Sequence, residues 1–535
     1  MTLDICVILD AGRPVGPGER RFLAALADDP RLSVAGVFTA PGADPLLPAI
    51  LRGALAVETR AFPAPDTAPP LARTPEPIPP DGLPTCDVIV DFAGSAPEAA
   101  PVHGIWRLSS FTPEAAITEA RLRAPVTEVV LSVENGGAAR PIASARYDTK
   151  FLATRNAAYA REKSVQLLHR ELARLAGTNT LPAPITPPDA LTPPRSSHLP
   201  DYIGAVGREL AMRAWRKVQA KRGQRPGMFF LRLGHGTLAD LDPATGTDLI
   251  PDGNTYWADP FLFEDSGETY LFYEDFDFAT GRGHLSVGRL DGDGMVPLGP
   301  VMVQPHHLSY PFVFRWGDEI LMIPETHQAE RIEVWRATEF PLKWELASTA
   351  LEGVKAVDSV VFERAGAWWL MTNICRDSFG DFGTELHLYR IDDPLLGGAT
   401  AHPLNPVVID ATIARGGGRV FEHEGRLLRA SQDNSHGIYG YGLNLMEITA
   451  LSDTDYGERR LRYLSPEALD GVMGLHHMDA AGGRTVIDLR RTFTGLHRSG
   501  RGKHQHAAAQ ENHHEDEPDR RRLGNGEAEP DFPAQ

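Results

Sequence analysis

One phrase recurs five times in the second half of this chain. Phe261–Glu274 reads FLFEDSGETYLFYE, Phe312–Glu325 reads FVFRWGDEILMIPE, and Val360–Asn373 reads VVFERAGAWWLMTN. Val420–Asp433 reads VFEHEGRLLRASQD, and Met478–Leu489 gives a weaker copy, MDAAGGRTVIDL. Each copy is an apolar strand, a polar turn with glycine, and a second apolar strand, which is the pattern of a β-hairpin. The turn glycines are Gly267, Gly317, Gly366, Gly425 and Gly483, at spacings of 50, 49, 59 and 58 residues. A repeat of that length is one blade of a β-propeller, in which four-stranded sheets ring a central channel. Five copies predict five blades over residues 227–493. The extra strand Met228–Leu233 (MFFLRL) precedes the first copy and is expected to close the ring against the last blade.

The N-terminal part has a different texture. Residues 1–176 read as α/β: a strand at Ile5–Leu9, a helix at Glu19–Ala27, a strand at Leu32–Phe38, and further strands at Cys86–Phe92 and Glu128–Val133. That βαβ order predicts a Rossmann-like parallel sheet covered by helices. Asn156–Leu175 follows as a long helix with Leu167, Leu168, Leu172 and Leu175 on one stripe. Residues 177–200 carry seven prolines and read as a semi-rigid linker. A basic helix runs from about Tyr202 to Lys221 within a connecting segment, 201–226. Residues 494–535 have almost no apolar side chains and are expected to be a disordered tail. His504, His506, His513 and His514 in it are read as solvated.

Composition narrows the function classes. The 535 residues carry a net charge of −18. That balance argues against a nucleic-acid partner and against an anionic membrane as partner. Apolar runs are too short for an integral membrane segment. Three distant cysteines, Cys6, Cys86 and Cys375, give no disulfide framework and no metal knuckle, so a reducing, cytoplasmic location is expected. No GxGxxG order and no P-loop is present, and neither a cofactor nor a metal is expected. Oligomeric state is left open.

In a propeller, polar residues at the same phase of several blades converge on the axis. Asp259 in YWADPFLF and Asp358 in AVDSVVF stand at one phase, just ahead of their hairpins. Tyr310, Arg415 and His476 stand near that phase in the other blades. A second ring lies at the ends of the second strands: Glu274, Glu325, Asn373 and Asp433. Carboxylates are the groups that cleave glycosidic bonds, one donating a proton and the other activating water or attacking carbon. Glu325 follows MIP at an apolar strand end, where burial is expected to raise its pKa and suit it to donate a proton. Gln432 and Asp433 offer hydrogen bonds to sugar hydroxyls, and Trp257 and Tyr310 offer faces for stacking on sugar rings. The bland alternative is that the aspartates cap strand ends and turns.

The run Tyr256–Glu274, then His307–Phe314 (HLSYPFVF), Met322–Glu325 (MIPE), WWLMTN, ARGGGRVFEHEGRLLRASQD and Tyr441–Ile448 (YGLNLMEI), resembles the propeller domain of the glucosamine inositolphosphorylceramide transferase N-terminal type. That domain is similar to five-bladed glycosidase propellers of the arabinanase and xylosidase type. The resemblance implies a carbohydrate or glycoconjugate substrate and glycosidase- or glycosyltransferase-like chemistry, in bacterial glycan metabolism. By resemblance Asp259 is base or nucleophile, Glu325 the proton donor and Asp358 the acid that tunes it. The stretch Cys86–Pro113 (CDVIVDFAG…HGIWRLSSFTP) is similar to formyltransferases, which place Asn-x-His there. Here the segment is Trp106-Arg107-Leu108-Ser109-Ser110; His103 lies before it, and Asp148 is the candidate for a later aspartate. A degenerate formyltransferase-like domain is therefore expected. The alternatives are a non-catalytic glycan- or protein-binding propeller on that scaffold, and a sugar N-formyltransferase.

Overall fold

A computed structural model describes residues 2–42, 47–95, 101–109, 113–186, 195–222 and 224–493. The His-rich tail and the prolines at 187, 188, 193 and 194 lie outside the described residues.

The N-terminal sheet has seven strands: β1 (Leu3–Asp10), β2 (Leu32–Ala40), β3 (Glu76–Pro77), β4 (Val88–Asp91), β5 (Ile105–Leu108), β6 (Val126–Glu134) and β7 (Arg140–Asp148). Their order is β3-β2-β1-β4-β5-β6-β7. The sheet is mixed rather than parallel throughout. β6 runs antiparallel to both β5 and β7. The sequence itself carries the reason: only residues 135–139 link β6 to β7, too few for the crossover a parallel pair needs. Among the described residues there are five α-helices: α1 (Pro17–Asp28), α2 (Ala49–Ala61), α3 (Pro113–Leu122), α4 (Ala153–Thr178) and α5 (Leu199–Lys221). α4 buries Leu167, Leu168, Leu172 and Leu175 as its periodicity predicts, in one core with β1, β6 and Phe22 of α1.

The repeat is a five-bladed propeller. Blade 1 spans Thr255–Met302, blade 2 Ser309–Ala350, blade 3 Ala356–Ile409 and blade 4 Gly416–Leu464, each an antiparallel sheet in sequence order. Blade 5 is built from both ends of the domain. Arg225–His235 pairs antiparallel with Arg484–Phe493, placing Phe230 opposite Leu489. The ring thus closes on the strand expected to close it. Four hairpins turn on two residues with left-handed backbone: Ser266-Gly267, Ala365-Gly366, Glu424-Gly425 and Gly482-Gly483. Two successive positive φ angles match the right-handed twist of the flanking strands, which is why the glycine recurs at that phase.

The propeller docks on α4 through a buried charge cluster. Lys163, 1% exposed, lies 3.0 Å from Asp377, 3.5 Å from Asp381 and 2.5 Å from Glu385, all in blade 3. Burial alone would lower the lysine pKa, but the three carboxylates outweigh it and hold the ammonium charged. Asp381 and Glu385, whose burial acts upward, are held at about 2 by that same ammonium. Tyr159 donates to Asp381, Glu162 accepts from Ser378, and Arg146 pairs with Asp410. At the sheet edge Asp148 accepts the Gly437 N–H and pairs with Lys150.

Removing a single charge from such a cluster leaves buried carboxylates uncompensated. Lys163→Met is expected to cost roughly 3–5 kcal/mol. In a denaturant titration, the single transition of the parent should split as the propeller and α4 separate. An unchanged midpoint would show that the cluster does not join the two units.

Candidate active site

The first strand of each of blades 1–4 carries a bulge at one phase. Pairing shifts between Ala258 and Phe261, Ser309 and Phe312, Val357 and Val360, and Gly416 and Val420. The residue in the bulge has left-handed backbone each time: Asp259 (φ 48°), Tyr310 (φ 48°), Asp358 (φ 51°) and Gly418 (φ 145°). Non-glycine residues adopt this conformation rarely, at a cost of order 1 kcal/mol or more, and bulges serve to re-aim side chains. The matching phase of Asp259 and Asp358 is thus a structural fact, and it directs both carboxylates into one buried cluster.

The register also corrects the second ring. Ala258 pairs with Glu274, Ser309 with Glu325 and Val357 with Asn373, but Gly416 pairs with Ser431. Counted from the turn glycines Gly267, Gly366 and Gly425, however, Glu274 and Asn373 correspond to Gln432, so the fourth member is Gln432 and not Asp433. In blade 5 Arg490 pairs with Gly474 at that position, and Asp488, two residues earlier, donates its N–H to the His477 carbonyl. Asp433 instead accepts from Tyr463 at the blade's outer strand. Asn373 donates to the Glu385 and Ala414 carbonyls and accepts the Gly416 N–H, which makes it a pin between blades 3 and 4.

Five buried carboxylates share this cluster: Asp259, Glu274, Glu325, Asp358 and Asp488. Arg415 reaches Asp358 at 2.8 Å and Glu325 at 3.7 Å, and lies over the Tyr439 ring. His476 contacts Asp488 at 2.5 Å and Asp259 at 3.5 Å, and stacks on Phe229. Glu274 lies 3.3 Å from the Tyr256 hydroxyl and 3.5 Å from His307. His327 sits 2.8 Å from Glu325, with Phe382 of the α4-bound loop against its ring.

Anionic groups outnumber the cations here, so they cannot all ionise. Burial pushes Asp259 up to about 7; His476 acts against this, while Asp488, Asp358 and Glu325 add to it. Asp358 is pushed by burial to about 6 despite Arg415. Glu274 is raised well above its usual range by burial, Asp259 and Glu325. Glu325 goes the other way. Burial alone would raise it, as expected from sequence, but the His327 hydrogen bond and charge, with Arg415 and His307, hold it at about 2. These partners favour the ionised carboxylate at Glu325, where burial alone favours the protonated form. His476 is raised against its burial by Asp488 and Asp259.

Of the other expected residues, Arg415 and His476 belong to the site. Tyr310 reaches the axis, but its ring is covered by Phe261 and His477 and its hydroxyl donates to the Gly418 carbonyl, so it offers no stacking face. Trp257 packs against Tyr273, in the cluster around Leu231 and Leu249. Gln432 donates to the Gly416 carbonyl and braces blade 4. Sequence reasoning placed His477 beside His476 at the polar phase, but did not assign Asp488, His327, His307, Tyr256 or Tyr439 to the site. Asp488 was within reach, since it is the acid on the second strand of the fifth copy. His307, His327 and Tyr439 lie between strands, where no repeat phase records their return to the axis, whereas Tyr256 lies in the first strand of blade 1. A metal was not expected, yet ligand atoms of Asp259, His476 and Asp488 lie within 4.8 Å of one another and could hold a cation.

Residues 247–480 match the family model described as Glucosamine inositolphosphorylceramide transferase 1, N-terminal. The propeller thus resembles that domain, as its motifs implied. Glucosamine inositolphosphorylceramide transferase 1 of Oryza sativa subsp. japonica is 34% identical over 236 residues, covering 42% of this chain and 31% of that protein. The Arabidopsis thaliana protein of that name is 32% identical over 209 residues, covering 38% and 27%. The chain thus spans about a third of the length of these curated relatives. Among solved structures, a family 117 glycoside hydrolase from Zobellia galactanivorans aligns over 50% of this chain and 90% of its own, at 12% identity and a TM-score of 0.33.

The pKa pattern has measurable consequences. Asp259 binds its proton more tightly folded than unfolded. Its contribution to stability therefore falls as pH rises from the ordinary carboxylate range through about 7. Glu325 contributes stability above the ordinary range, and loses it as pH falls toward about 2. Asp259→Asn should flatten the decline in denaturant midpoint between about pH 5 and about pH 8. His327→Ala should move the Glu325 carboxyl resonance upward in an NMR titration; an unmoved resonance would remove His327 as the cause.

Proposed function

We propose that the propeller axis performs acid–base chemistry on a glycosidic or related bond of a carbohydrate or glycoconjugate. The observation that carries this reading is the separation of pKa values inside one buried cluster: Glu325 at about 2, Asp358 at about 6 and Asp259 at about 7. Carboxyls pushed apart in this way supply a proton donor and a standing anion at the same pH. Asp259 is the donor in this reading, and Glu325 the anion that activates water or an acceptor, or stabilises developing positive charge. Asp358 holds Arg415 between itself and Glu325, which leaves the guanidinium to tune both and to bind substrate oxygens. The roles of Asp259 and Glu325 are thereby exchanged relative to those the family resemblance implies. The plant relatives, glucosamine inositolphosphorylceramide transferases, support a sugar- and lipid-linked substrate class. A bacterial setting and a cytoplasmic location remain our reading of the sequence.

The N-terminal domain enters this reading as a docking scaffold. His103 precedes β5 at the end that pairs with Glu134, whereas Asp148 pairs with Val126 at the opposite end of β6. Eight residues of strand, about 27 Å, separate those ends. That separation counts against one formyl-transfer site built from His103 and Asp148, and Asp148 is engaged with Lys150 and Gly437. The scaffold holds the 377–385 loop, from which Phe382 reaches His327.

The test uses a panel of aryl glycosides and the glycan that the panel points to. Asp259→Asn and Glu325→Gln, each shown to be folded, should lower kcat by about 10²–10⁴-fold. Activity should have an alkaline limb near pH 7, which Asp259→Asn removes along with the rate. Full activity in both variants would end the proposal. Saturable glycan binding without any product would favour the binding-module reading instead.

A further inference from the structure

Helix α5 is anchored near its start, meets the protein again through Glu209, paired with Arg123, and through Arg213, over the Phe151 ring, and is exposed along its outer face. Near its start Tyr202 is buried, accepts the Ala153 N–H and donates to Glu58, and Ala205 is buried one turn on. From Gly207 to Arg222 the side chains are exposed apart from half-buried Glu209 and Gln219. Large apolar groups stand in solvent here: Ile203 is 59% exposed and Trp215 54%, with Leu210, Met212 and Val218 also open. The same stretch holds Arg208, Arg213, Arg216, Lys217, Lys221 and Arg222 against one acid, Glu209.

The two kinds of residue are sorted by the helix itself. At about 100° per residue, Ile203, Leu210, Ala211, Ala214, Trp215 and Val218 fall within an arc of about 140°. Arg208, Arg213, Arg216 and Lys217 fall on the remaining surface. Lys221 and Arg222 lie at the end of the apolar arc, where long aliphatic stems can run along it with their charges turned outward. A convex apolar strip carrying Leu and Trp, flanked by cations, suits the boundary between acyl chains and headgroups.

We propose that α5 is a membrane-surface helix that seats this protein on anionic lipid. The net charge of −18 argued against such a partner, but that figure averages over the chain and the cations here are local. The acidic remainder then works in favour of orientation. An anionic surface repels it and attracts α5, so the protein approaches by the helix. Nucleic acid would be attracted by the same cations but would leave Leu210, Trp215 and Val218 in water. The proposal does not depend on the chemistry assigned to the propeller axis.

The test is co-sedimentation of the full chain with phosphatidylcholine vesicles, with and without phosphatidylserine. Binding is expected only with phosphatidylserine, and should weaken about tenfold or more in high salt. Leu210→Ser with Trp215→Ser, and separately Arg208→Glu with Arg216→Glu, should each reduce binding at least about tenfold while the melting temperature is unchanged. These positions are exposed, so loss of fold is not the expected route. No binding to phosphatidylserine vesicles overturns the proposal, as does binding that survives both pairs. A dimer that dissociates on Trp215→Ser, or retention of single-stranded RNA in preference to vesicles, overturns it by naming a different occupant.

Discussion

The pairing of Arg225–His235 with Arg484–Phe493 is the constraint on which the rest depends. It joins the two ends of the propeller across more than two hundred residues and turns five sheets into a closed ring. An open stack would have no axis, and polar groups at one phase of each blade would face solvent separately. Closure brings them into one buried volume, where charges interact far more strongly than at a surface. The perturbed pKa values at Asp259, Asp358, Glu325 and Glu274 follow from that confinement.

Confinement also explains why the site carries backbone strain. Asp259, Tyr310 and Asp358 hold left-handed conformations at matching bulges. A regular strand would alternate its side chains between the two sheet faces and direct none of them along the strand end. The bulge breaks that alternation at one residue per blade. The surrounding ladder and neighbouring blades hold the distortion in place, as Arg415 does for Asp358 and as the Gly418 carbonyl does for Tyr310. The N-terminal domain adds a further layer, because Lys163 fixes the loop from which Phe382 meets His327.

Much of the fold was legible in the sequence, because hairpin strands and turn glycines are local signals. The five blades, the closing strand and the leucine stripe of α4 all rest on periodicity and turn chemistry. The antiparallel β6 went unread, although the short link to β7 was there to see. At the axis, the phase of Asp259 and Asp358 was legible because bulges recur with the repeat. The fourth ring position was misassigned to Asp433 because Val420 stands one residue nearer its turn glycine than Phe261 does, which shifts the copy by one position. His327, His307 and Tyr439 left no trace in the repeat, since loops between strands carry no shared phase.

The sequence by itself determined the kind of ring, the number of its blades and two of the acids at its centre, since strand alternation and turn residues act over a few positions. It also placed a basic helix between the two units. Tertiary structure alone decided the charge states. Glu325 stands at an apolar strand end, a place that favours the protonated form, yet His327 two residues on and Arg415 ninety residues on hold it ionised. Asp259 has no cation in its own strand, and its proton is decided by His476 and by the carboxylates of other blades. A pKa is set by every charge within a few ångströms, and in a closed ring those charges come from the whole length of the domain.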